Sequence, residues 1–197
     1  MDRKILDLFQ VEGEEIKNLS NTIDYDNFTT LKKKIDKCNG NIFLTGCGTS
    51  AMAAKKIVHT LCVIGVRAFY LNPSDAVHGG LGAVQREDMV IFISKGGSTN
   101  ELTAFIPNLK AKDVQLVAIT ENENLKLAKD SNLVIKVKIE KELDAFNMLA
   151  TTSTIAVISF FDVLAVSLMK SKKFTENEFL VNHPSGAVGA RLREDAK

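Results

Sequence analysis

The chain has 197 residues, of which 45% are apolar and 25% charged. That composition suits a single globular α/β domain with a full core. A formal net charge of +1 makes no electrostatic case for nucleic acid or an acidic membrane surface as a partner.

The N-terminus has no apolar signal core. Residues 3–19 place Ile5, Leu8, Phe9, Ile16 and Leu19 near one helical face, which predicts an amphipathic helix that covers the domain or meets a second subunit. A second helix is predicted over 26–38, stopped by Asn39-Gly40. Ile42-Phe43-Leu44 opens a buried strand over 41–45. Gly46-Cys47-Gly48-Thr49-Ser50 then leads into a helix over 50–64. A strand, a glycine turn and a helix start put backbone N–H groups and hydroxyls at the positive end of a helix dipole, an anion site in the making. The spacing is neither the dinucleotide fingerprint nor a P-loop.

A second strand is predicted at 67–71, and Pro73-Ser74 opens a short helix carrying His78. The third strand, 89–93, ends in Ser94-Lys95-Gly96-Gly97-Ser98-Thr99, another Gly/Ser/Thr loop at a strand's C-terminal end. One helix over 99–111, a strand at 114–119, a short helix at 123–129 and a strand at 133–137 follow. Thr151 to Thr154 then open a long apolar helix over 152–170, read as buried because the run 155–169 is short for a bilayer and carries Ser159, Asp162 and Ser167. Pro184, at the preferred first position, predicts a last helix just after His183.

Apolar strands alternating with helices predict an α/β fold, a three-layer, doubly wound, five-stranded parallel sheet in one domain over 1–197. Ligands of such sheets bind beyond the strands' carboxyl ends, where both Gly/Ser/Thr loops fall. Two such loops on one edge point to a phosphate-sized ligand. Cys38, Cys47 and Cys62 form no C-x-x-C pair and point to a reducing, cytoplasmic compartment.

The segments 46–50, 72–79, 94–99, 142–154 and 182–189 together resemble the SIS (sugar isomerase) domain, most closely that of the arabinose-5-phosphate isomerases of capsule and lipopolysaccharide synthesis. The His183-Pro184-Ser185-Gly186-Ala187 run is the most specific of them. The resemblance implies a five-stranded parallel sheet, a phosphosugar at the strand ends and a homotetramer. It implies interconversion of ribulose 5-phosphate and arabinose 5-phosphate, or a related sugar phosphate, a reaction whose chemistry requires no redox cofactor. It carries the phosphate-holding hydroxyls onto Ser50, Ser94 and Thr99, and with the two loops the expected phosphate site comprises Gly48, Thr49, Ser50, Ser94, Gly97, Ser98 and Thr99. The chain departs from the family at three positions. A lysine is usual at Thr49, a glutamate at Ser98 and a serine at Gly96. The chain also stops soon after the His-Pro-Ser-Gly-Ala run, which implies a SIS domain without the CBS pair that often follows it.

Aldose–ketose isomerisation needs a base for a C–H and a second group for the oxygens. His183, Glu142 and His78 are the expected catalytic groups, with Glu142 and His183 sharing the acid–base work. Their spacing lacks the paired histidines of a helical metal site. His59, inside the helix 50–64, is read as structural. Without Lys and Glu at 49 and 98, a phosphosugar sensor that binds without turnover is the competing expectation.

Overall fold

The computed structural model describes residues 3–195. A 3-10 turn at Arg3–Ile5 precedes helices α1 (Asp7–Thr22) and α2 (Tyr25–Asp36). Then come β1 (Ile42–Gly46), α3 (Thr49–Val63), β2 (Ala68–Tyr70), α4 (Pro73–Val77), a 3-10 turn at Gly80–Ala83 and β3 (Met89–Ile93). The second half runs α5 (Asn100–Thr103), α6 (Ile106–Ala111), β4 (Gln115–Thr120), α7 (Lys126–Asp130), β5 (Leu133–Lys136), α8 (Thr152–Lys172), α9 (Glu176–Asn182) and α10 (Gly186–Asp195).

The five strands are all parallel, in the order β2-β1-β3-β4-β5. β1 and β3 are buried at every position, as strands covered on both faces must be. Alternate side chains feed two cores. Ile42 and Leu44 pack with Ile57, Leu61, Phe160 and Leu164 on one face, while Phe43, Val90 and Phe92 pack with Leu102, Phe105 and Leu109 on the other. The direction of winding reverses between β1 and β3, which makes the gap at their carboxyl ends the crevice of the sheet. Their register pairs Gly46 with Ile93, so the two Gly/Ser/Thr loops leave the sheet side by side at one level.

The structure corrects several expectations. The single helix over 99–111 is two short helices, because Pro107 cannot donate to the carbonyl four residues back and its ring crowds it. Pro184 is not a first helical residue, since α10 begins at Gly186. The seven-residue α9 is an addition to the expected elements, although Thr175 and Glu178 form a reciprocal capping box that spells its start in the sequence. At 21 residues α8 is longer than the apolar run suggested, and by length and hydropathy it meets the requirement for a membrane span. It nonetheless packs against α3, α1 and α2 with Phe160, Phe161, Leu164 and Leu168 inside. Asp162 on its flank pairs with Lys56 of α3. Of the leading helix, Leu19 is buried, whereas Ile5 and Phe9 stand exposed.

Candidate active site

A cavity of about 220 Å³ lies in the crevice between the ends of β1 and β3. Sites for drug-sized ligands run to about 300–1,000 Å³, so this one suits a small metabolite. Thr49 and Ser50 of the first loop line it, as do Ser94, Lys95, Gly96 and Thr99 of the second. Thr120 and Glu121 beyond β4, and Ser153 and Thr154 at the start of α8, complete the polar wall.

Each loop is shaped by one glycine. Gly48, the residue before α3, has φ +55° and ψ −128°, a conformation that side chains disfavour. α3 therefore begins with its positive end beside the cavity. Gly97 has φ +71°, and a Cβ there would sit 2.9 Å from Thr120 Oγ1. The Gly97 N–H donates to Ser94 Oγ at 3.1 Å, and the Ser94 and Thr99 hydroxyls are 3.0 Å apart. The second loop is thus tied by hydroxyls that themselves face the cavity. Of the residues expected to hold phosphate, Thr49, Ser50, Ser94 and Thr99 are brought together, while Gly48, Gly97 and Ser98 are not part of the wall.

Glu142 lies in the irregular segment between β5 and α8 and is 5% exposed. Lys95 Nζ donates to its Oε1 at 2.6 Å, and the Ser153 hydroxyl donates to the same oxygen. Its Oε2 accepts from the backbone N–H of Thr151 (3.0 Å), the Thr151 hydroxyl (3.1 Å) and the Ser153 N–H (3.1 Å). Burial alone would raise its pKa, but the Lys95 ammonium and the Ser153 and Thr151 donors outweigh it and hold the carboxyl at about 2. Glu142 is therefore a permanent anion that caps the N-terminus of α8. The hydroxyl cluster at 151–154 caps the helix indirectly, through this carboxylate, and Thr151 makes no side-chain cap of its own.

Lys95 and Glu121 are not among the residues that the sequence singles out, and both line the cavity. The Glu121 N–H donates to the Lys95 carbonyl at 3.0 Å, which fixes the two residues side by side at adjacent strand ends. Among the described residues Glu121 makes no ion pair, and its Oε1 accepts only a long 3.4 Å bond from Ile139 N. Burial pushes its pKa up, partly offset by the nearby Lys95 charge. Burial likewise raises the Cys47 thiol, with Glu101 adding to it, so Cys47 is not an activated nucleophile.

The three expected catalytic residues are not assembled within one chain. His78 follows α4 and is exposed, away from the cavity wall. His183 sits at the opposite end of the molecule. The preceding Asn182 side chain donates to the Val63 carbonyl, at the far end of α3. α3 has 15 residues, so about 22 Å of helix separates the two ends. His183 stacks on Phe179 at 5.7 Å, and its Nδ1 is buried without a hydrogen-bond partner. His59 is exposed on α3 and takes no part in the core.

The SIS domain model matches residues 34–167. The arabinose 5-phosphate isomerase KdsD of Francisella tularensis is 34% identical over 95% of this chain and 58% of its own length. KpsF of Escherichia coli, an arabinose 5-phosphate isomerase, is 34% identical over 92% of this chain and 57% of its own. The chain thus spans little more than half of these relatives. A Listeria monocytogenes structure assigned as a candidate sugar-phosphate isomerase superposes with a TM-score of 0.90 at 44% identity, covering 94% of this chain and all of that one. An Escherichia coli CFT073 protein solved in complex with arabinose 5-phosphate superposes with a TM-score of 0.88 at 29% identity, over 91% and 95% of the two chains.

Proposed function

The chain belongs to the SIS domain family, and from that premise we propose that it is a phosphosugar aldose–ketose isomerase acting on arabinose 5-phosphate and ribulose 5-phosphate or a closely related sugar phosphate. The observation that carries this reading is the crevice itself. Two Gly/Ser/Thr loops flank the start of α3, and a lysine and two carboxylates stand within and behind the same wall. The phosphate is a handle, and its binding energy positions the reacting carbons. Enolisation within the sugar needs proton transfer alone, which side chains supply. The likeness to a protein solved with arabinose 5-phosphate supports the substrate class.

The working enzyme is a homo-oligomer, a tetramer by the family resemblance. Val163 and Val166 leave an apolar stripe on α8, and Val181 and Val188 leave another beside His183. A second copy that covers these surfaces brings its own His183 to this crevice and thereby completes the acid–base set. His78 serves the substrate oxygens in the same assembly.

Ser50→Ala and Thr99→Ala each remove a hydroxyl from the phosphate. Each is expected to weaken binding of arabinose 5-phosphate by about 10- to 100-fold, corresponding to about 1.5–3 kcal/mol for a hydrogen bond to a charged group. Calorimetric titration measures it, and unchanged affinity in both variants removes the phosphate from these loops. The reaction itself is tested by incubating the protein with a panel of pentose and hexose phosphates and resolving the products by NMR.

One observation favours a second reading, a phosphosugar sensor. Glu142 is held as a very weak base, and neither His78 nor His183 reaches the cavity of its own chain. Tight binding across the panel with no conversion selects the sensor.

A further inference from the structure

The family resemblance places a lysine and a glutamate at the positions of Thr49 and Ser98, and this chain has neither there. The same pair of charges nevertheless enters the cavity from two other positions, Lys95 after β3 and Glu121 after β4. We propose that Glu121 is the carbon base of the isomerisation and that Lys95, anchored by Glu142, is the cation that stabilises the oxygen of the enediolate. The assignment rests on the isomerase reading given above.

Geometry separates the two carboxylates. Glu142 spends both oxygens on five donors, and its side chain is 1% exposed. It has no free lone pair directed at a substrate and does not line the cavity. Glu121 lines the cavity, makes no ion pair among the described residues and accepts one long bond. Its partial burial raises its proton affinity above that of a solvated carboxylate, while Glu142 is pushed the other way. Two neighbouring carboxyls with opposed environments divide the labour, one as fixed counter-ion and one as proton carrier. Lys95 fits the remaining part. Its ammonium has three donors, and Glu142 takes one of them. With its side chain 39% exposed at the cavity, two donors remain for sugar oxygens.

The step is balanced without a redox partner. Glu121 removes the proton from the carbon next to the carbonyl. The C–H electron pair becomes the C=C bond of the enediolate, and the carbonyl π pair moves onto its oxygen, facing Lys95. A proton then passes between the two oxygens. Protonated Glu121 returns its proton to the neighbouring carbon, and the carbonyl re-forms one position along.

The test uses the full chain in D₂O with D-arabinose 5-phosphate, D-ribulose 5-phosphate and the hexose phosphates of the panel. Wild-type protein washes deuterium into the C1 or C2 position of its substrate. Glu121→Gln is expected to lower that exchange by about 10²–10⁴-fold with phosphosugar affinity within about threefold of wild type. Glu121→Asp, which keeps the charge, is expected to retain a measurable part of the exchange and serves if the glutamine variant does not fold. Exchange by Glu121→Gln at the wild-type rate overturns the assignment and leaves the isomerase reading intact. Wild-type protein that binds the panel and exchanges with none of it overturns both.

Discussion

Replacing Glu142 with glutamine is expected to destabilise the protein by about 3 kcal/mol, the lower end for leaving one partner of a buried ion pair uncompensated. The lower end applies because Lys95 keeps some contact with water. The effect is large for one atom because three structures meet at this carboxylate: the loop after β3 through Lys95, the start of α8 through Thr151 and Ser153, and the segment after β5 that carries Glu142. For a chain of this length the melting temperature falls by about 2–4 °C per kcal/mol, or roughly 6–12 °C in all. The pH dependence has a definite sign. The folded-state pKa of about 2 lies below the ordinary 4.5 of an unfolded glutamate. The carboxylate therefore contributes its full stability above about pH 4.5 and loses it as the pH falls toward 2. Thermal melts of wild type and Glu142→Gln should differ most near neutrality and converge in acid. Equal melting temperatures at pH 7 contradict the account.

The second large effect concerns His183. Its place at the far end of α3 means that a single chain cannot use it at its own crevice. His183→Ala is expected to lower turnover by about 10²–10⁴-fold while leaving phosphosugar affinity nearly unchanged. Mixing it with Glu121→Gln, also inactive alone, separates the two geometries. If a neighbour supplies His183, about a quarter of the sites in a random one-to-one mixture draw a normal residue from each partner, and activity returns. Absence of recovery after co-refolding, or sedimentation of the wild type only as a 21.6 kDa species, contradicts a shared site.

The frame of the protein was legible in its sequence because parallel strands buried on both faces leave uninterrupted apolar runs, as at Met89–Ile93. The two Gly/Ser/Thr loops at the strand ends are legible because glycine and hydroxyl residues cluster there between a strand and a helix. Distances across the fold were not. Nothing local in His183-Pro184-Ser185 states that α8 and α9 carry it to the end of the molecule opposite the crevice. Lys95 and Glu121 carry no signal in the sequence for a similar reason. Each is an ordinary charged residue in a loop, and only the parallel pairing of β3 with β4 makes them neighbours. The sequence marks Glu142 as a catalytic group, whereas the structure sets its carboxylate behind the cavity wall, bonded to Lys95. Its five donors, contributed by Lys95, Thr151 and Ser153, could not be counted before the fold was in hand, and they favour an electrostatic and structural role for it over proton transfer.

The central claim, that this SIS domain isomerises a sugar phosphate in the crevice between β1 and β3, is tested most directly by incubating the wild-type chain with arabinose 5-phosphate and its ketose partner in D₂O and following the C1 and C2 hydrogens by NMR. Deuterium entering the sugar, with aldose and ketose approaching a common equilibrium from either side, is the predicted result. Saturable binding of these and the other phosphosugars with no exchange and no interconversion would contradict it.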